Sequence, residues 1–141
     1  VMVGGIGAAA AYASGDAFGG LNTFENLPAK LEIYGMKFLD LDDEGIAKLF
    51  PFSTMEFTAT ADNAPQALVD GDAAPFEAYV NVFAIDFVDL GGFRLAVSMQ
   101  TPVRCDPGPA GILYWQAQTL GADNIAATTS PLVKLLYRDL T

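Results

Sequence analysis

The clearest pattern in the chain lies at residues 83–100, where two runs of strand-like alternation meet at Gly91-Gly92. A two-residue glycine loop uses positive φ, which glycine supplies cheaply, and it fixes the register of the strands on either side. Leu90 then faces Phe93, and Asp89 faces Arg94 as a cross-strand charge pair. One face of this hairpin carries Ala84, Asp86, Val88 and Leu90 beside Phe93, Leu95, Val97 and Met99. The other carries Phe83, Ile85 and Phe87 beside Ala96, Ser98 and Gln100. Antiparallel sheets in small domains usually leave one face to water. Here both faces are apolar and both call for cover. The stripe Phe83, Ile85 and Phe87 lies either under the protein's own second layer or in a subunit interface.

Alternation continues on both sides of the hairpin. Leu31 and Ile33 share a face; Gly35 then marks a bulge that moves the apolar phase to Met36 and Phe38. Asp40 to Leu49 reads as a loop and helical turn stopped by Pro51. Residues 53–61 alternate, with Met55, Phe57, Ala59 and Ala61 opposite Thr54, Glu56, Thr58 and Thr60. Turns follow at Asp62-Asn63-Ala64-Pro65 and Val69-Asp70-Gly71-Asp72, with a short strand at 66–69 between them. A long strand at 76–90 pairs with 93–101, which Pro102 ends, and 105–109 form a rigid loop. Residues 112–120 predict a strand centred on Trp115. Residues 131–140 fit either a helix starting at Ser130-Pro131 or an edge strand. About seven strands with turns between them predict an all-β fold: an antiparallel, jelly-roll-like β-sandwich over residues 29–141.

Residues 1–28 differ. They hold six glycines and an alanine run at 8–11, and Asp16 and Glu25 are their only charges. Such chain loses much entropy on ordering and buries little by itself. It reads as a Gly/Ala-rich N-terminal arm that orders on another surface, with Val3, Ile6 and Phe18 as its contacts, or as a short helix from Gly7 to Ser14.

Composition sharpens the picture. Of 141 residues, 52% are hydrophobic and 17% charged, a surface that is hard to keep monomeric. A homo-oligomer, dimer or trimer, is expected. The net charge of −10 and the scattering of the seven bases disfavour nucleic acid and anionic membrane as partners. No segment is long enough to span a membrane. Residues 1–14 lack the basic start of a secretory signal. Cys105 is the only cysteine, so no intrachain disulfide forms.

Candidate chemistry is sparse. Without histidine the chain has no Ser-His or Cys-His pair and no usual neutral-pH base. Gly5-Ile6-Gly7-Ala8-Ala9-Ala10 fits the dinucleotide pattern G-x-G-x-x-A, but too little strand precedes it. Asp40-Leu41-Asp42-Asp43-Glu44-Gly45 begins like a calcium loop, yet its twelfth position is Pro51; an acidic helix start capped by Asp42 is the plainer reading. Asp86 is either a carboxylate with raised pKa, an arginine partner, or a residue at a strand bend. Cys105 beside Arg104 could form a thiolate or be an inert loop thiol. No catalytic, cofactor or metal residues are assigned, and the protein reads as a non-enzyme.

A compact β-domain, a Gly/Ala arm, excess apolar surface and strong acidity together resemble the small capsid decoration, or cement, proteins of tailed bacteriophages. The likeness rests on residues 1–28 and the strands of 53–101, not on a motif. It implies a virion protein on the outer capsid surface that binds the major capsid protein and bridges shell subunits. The interface residues expected are Phe83, Ile85 and Phe87, with Val3, Ile6 and Phe18 from the arm. The alternative is a carbohydrate-binding β-sandwich with Tyr79, Tyr114, Trp115 and Tyr137 as stacking platforms.

Overall fold

A computed structural model describes residues 11–41, 44–124 and 131–141. The chain is all-β, with two four-stranded antiparallel sheets packed on one core. Its strands are β1 (Ala11–Tyr12), β2 (Ala17–Phe24), β3 (Leu31–Asp40), β4 (Lys48–Ser53), β5 (Phe76–Val82), β6 (Phe87–Asp89), β7 (Arg94–Cys105), β8 (Leu113–Thr119), β9 (Asp123–Asn124) and β10 (Leu132–Asp139). The first sheet has the order β10-β3-β7-β6 and the second β2-β8-β4-β5; β1 and β9 form a short ribbon. Inward side chains at alternate positions fill the space between the sheets. Phe38 of β3 meets Phe50 of β4 across it, with ring centroids 5.9 Å apart. Trp115 packs between Phe24 and Phe50.

The bulge expected at Gly35 is present. Leu31, Ile33, Met36 and Phe38 are all buried, and Tyr34 is skipped in the register with both neighbouring strands. The extra residue lets both apolar pairs point inward despite their odd spacing. A Cβ on Gly35 would stand 2.0 Å from the Ser98 carbonyl oxygen, so only glycine fits there. The hairpin register also holds. Asp89 pairs with Arg94, the Leu90 N–H donates to the Phe93 carbonyl at 3.0 Å, and Gly91 has φ +104°.

Several expected elements are corrected. Residues 76–90 are not one strand: a 3-10 turn at Ala84–Asp86 divides them, sending β5 to the second sheet and β6 to the first. The turn closes locally, because the Phe83 N–H donates to Asp86 Oδ2 (3.0 Å) and the Asp86 N–H donates to the Phe83 carbonyl (3.0 Å). Residues 54–61 and 66–69 join no strand. They lie over the outer face of the second sheet, held by Gln116. Its side chain accepts from Thr60 N–H (3.0 Å) and donates to the carbonyls of Thr60 (2.6 Å) and Gly19 (2.9 Å). Phe57 is buried under this segment against Phe76, while Met55 is exposed. No helical turn occurs among the described residues of 40–49, and Pro51 and Pro102 stand inside β4 and β7. Residues 132–139 form an edge strand.

The sandwich starts before Ala29. Residues 17–24, expected in the arm, are β2 and pair with β8, because Phe18 and Phe24 are needed in the core. The Gly19 N–H and the Tyr12 hydroxyl both donate to Asp62 (2.8 and 2.9 Å), which ties this region to the body of the domain. Ala11 and Tyr12 are strand, not helix. Val3, Ile6 and the Gly5–Ala10 pattern lie outside the described residues.

The two long sides of the sandwich differ. On one, β7 side chains close the β5 edge: Ser98 donates to the Asn81 carbonyl (2.6 Å) and Gln100 to the Tyr79 carbonyl (3.2 Å). On the other, Phe24 and Leu27 stand apart from Leu135 and Tyr137 across a cavity of about 380 Å³.

Candidate interaction surface

The overlying segment 54–69 covers the second sheet, whereas among the described residues no segment lies over the outer face of the first sheet. Its rows follow from the register. Leu132, Leu39, Leu95 and Val88 are successive partners across all four strands. The next row is Lys134, Lys37 and Val97, and the next Leu136, Gly35 and Met99. Val88, Val97 and Met99 are 58, 49 and 62% exposed. At the far end of the face Arg138, Glu32 and Arg104 align. Arg138 pairs with Glu32, and Arg104 with Asp106 at 3.1 Å.

The hairpin is thus apolar on both faces, as its sequence indicates, but the faces have opposite fates. Phe87, Ala96 and Ser98 point inward, and Phe87 packs edge-on against Phe38. Val88, Leu95, Val97 and Met99 point out. The stripe expected to act as a unit is therefore split. Phe87 is half-buried in the core, and Phe83 and Ile85 sit at the 3-10 turn, with Ile85 90% exposed. Phe18 is fully buried, beside Tyr12 and under the Lys48 ammonium, so it is a core residue and offers nothing to a partner. The residues that sequence reasoning missed are Leu39, Leu132 and Leu136, whose alternation with buried neighbours was the available signal.

Lys37 and Lys134 face each other directly across the β3–β10 pair. Like charges in that position repel, and the chain has only seven bases among seventeen acids. The face is thus a cationic, apolar island on an acidic protein.

The remaining candidates resolve individually. Asp86 caps the turn that breaks the strand. The Asp40 carboxylate is buried and accepts the Gly45 N–H at 2.9 Å, while Asp42 and Asp43 lie outside the described residues. Cys105 is buried beside Leu31; burial and the charge of Glu77 push its thiol up to about 12, so it is not a thiolate. The four candidate aromatic platforms do not converge. Trp115 is fully buried; Tyr137 borders the cavity beside Phe24, and Tyr79 an apolar groove of about 480 Å³ with Pro51, Val69 and Phe76. Tyr114, on β8, pairs in register with Thr23 and Ser53.

Two of the buried charges form an ion pair. Lys48, the first residue of β4, has its Nζ 2.7 Å from Asp123 Oδ2 on β9, and both side chains are almost wholly buried. Nζ also donates to the Ile46 carbonyl at 2.9 Å and lies 4.8 Å from the centre of the Phe18 ring. Burial lowers the affinity of Lys48 for its proton, against the opposing pull of Asp123, Asp40 and Glu44. Removing such a pair from water costs several kcal/mol per ion, which their attraction only partly offsets.

No family model, curated protein or solved structure matches this chain.

Proposed function

We propose that this protein is a structural component that binds the outside of a viral capsid and stabilises contacts between shell subunits. The observation that carries the reading is the outer face of the β10-β3-β7-β6 sheet, uncovered among the described residues, where Leu39, Leu95, Val88, Val97 and Met99 surround the Lys37–Lys134 pair. Its complement is an apolar shell surface bearing carboxylates opposite the two lysines. Relief of their mutual repulsion then adds to the hydrophobic gain, at about 25 cal/mol per Å² of apolar area buried.

Size bears on the mechanism. Four strands of about five residues give a face of roughly 300–400 Å², against about 800 Å² per partner in a standard interface. One face alone binds weakly. Leu90, Phe93, Phe83 and Ile85, exposed at or near the same hairpin, enlarge it. A dimer or trimer engaging several shell subunits at once would convert weak contacts into firm attachment through effective concentration. The jelly-roll-like topology belongs to this proposal; its support is that, apart from the β4–β5 and β6–β7 pairs, successive strands of the two sheets cross from one to the other.

The test is sedimentation of the protein from its native source, with stoichiometry measured. Co-migration with a megadalton particle, at a fixed ratio to its major shell subunit, is the expected result. Val97→Asp should leave a folded protein that no longer co-migrates. Recovery of the wild type only as a small free oligomer refutes the proposal. Ligand binding in the Tyr79 groove then becomes the reading to pursue.

A further inference from the structure

We infer that Lys48 and Asp123 are the two halves of an intramolecular isopeptide bond, an amide from Lys48 Nζ to the Asp123 side-chain carbonyl carbon. The pair has the geometry for it. Nζ and Oδ2 are 2.7 Å apart, and Cγ lies one covalent bond beyond, close to the ~3–3.5 Å separation of a near-attack pair. The two side chains come from strands 75 residues apart, yet both are held in the interior with 1 and 4% of their surface exposed. Phe18 and Phe38 flank the ammonium.

The reaction balances within the pair. The ammonium passes one proton along the existing hydrogen bond to the carboxylate, giving a neutral amine and a neutral carboxylic acid. Burial eases the loss of the Lys48 proton, because a charged ammonium is poorly solvated there. The amine lone pair attacks Cγ, a C–N bond forms, and the C–OH bond breaks. The hydroxyl leaves with a proton from nitrogen as one water. Nothing is oxidised or reduced, and no co-reactant is consumed. Fixed proximity supplies what free amines and acids in water lack, an effective molarity on the order of 10⁵ M or more. The same burial keeps water from reversing the step. The inference does not depend on the capsid reading, since it concerns the interior of the fold.

Intact mass spectrometry of the full-length protein decides it. The wild type is expected to be lighter than its sequence by one water, with a proteolytic fragment joining the Lys48 and Asp123 peptides. Lys48→Arg keeps a cation at the site but should show the full sequence mass. Should that variant not fold, the wild-type peptide map is sufficient alone. A wild type at full sequence mass, with separate Lys48 and Asp123 peptides after prolonged incubation, overturns the inference. So does a water loss mapped to Asp70-Gly71, where a backbone succinimide would account for it.

Discussion

Replacing Gly35 with alanine should be among the most damaging single-methyl additions this fold can receive. The added Cβ would meet the Ser98 carbonyl oxygen at 2.0 Å, its carbon at 3.1 Å and the Met99 Cα at 3.3 Å. All three are backbone atoms of β7, so no side chain can rotate away. Relief requires β3 and β7 to part by more than 1 Å in the middle of their ladder. Overpacking of this kind costs about 1–3 kcal/mol, and weakening two ladder hydrogen bonds adds about 1 kcal/mol each. The sum, about 3–5 kcal/mol, is a large share of a typical 5–15 kcal/mol stability. At about 3 °C per kcal/mol for a domain of this size, the melting temperature should fall by roughly 10–15 °C. Circular dichroism during heating, with urea titration followed by Trp115 fluorescence, measures it. Gly20→Ala is the control, since its added methyl meets nothing within 4 Å and should change stability little. A Gly35→Ala protein melting within about 2 °C of wild type would refute the close-approach argument.

Two further predictions concern the cover of the second sheet and the buried thiol. Gln116→Leu removes the bonds to Thr60 and Gly19, so it should cost about 2–4 kcal/mol and speed proteolysis within 54–66; unchanged cleavage there would show that the segment is held some other way. Cys105 keeps its proton in the folded state up to about 12, whereas the unfolded chain releases it near 8.5. Its contribution is therefore present at neutral pH and is lost as pH rises between those values, by up to ~1.4 kcal/mol per unit. Urea midpoints against pH should fall more steeply for wild type than for Cys105→Ala, and parallel curves would contradict the assigned burial.

What could be read from the sequence is what local pattern controls. The Gly35 bulge showed as a change of phase between Ile33 and Met36, and the glycine loop at 91–92 set a register the structure keeps. Residues 112–120 read as a strand with Trp115 its largest side chain, and β8 occupies Leu113–Thr119. What could not be read is what distant groups decide. One local feature also escaped: Phe83, Ile85 and Phe87 alternate like a strand, but the Asp86 carboxylate and N–H both bond back to the Phe83 backbone and close a turn. Residues 54–61 also alternate, but the Thr60 backbone is claimed by Gln116, a residue 56 positions away. Which hairpin face is bare depends on where the second sheet lies. The Lys48–Asp123 pair joins residues 75 apart, with no periodicity to announce it.

The unequal sides of the sandwich give it a direction of motion. Ser98 and Gln100 stitch β7 to the carbonyls of β5, so the sheets should move there as the two leaves of a hinge. Opposite them, β2 and β10 are edge strands facing a cavity, so they are the free lips. Thermal breathing should part the leaves at the β2/β10 rim and barely disturb the hinge. The outer face runs from β6 to β10, so a partner docked across all four strands would bridge the quiet side and the moving rim.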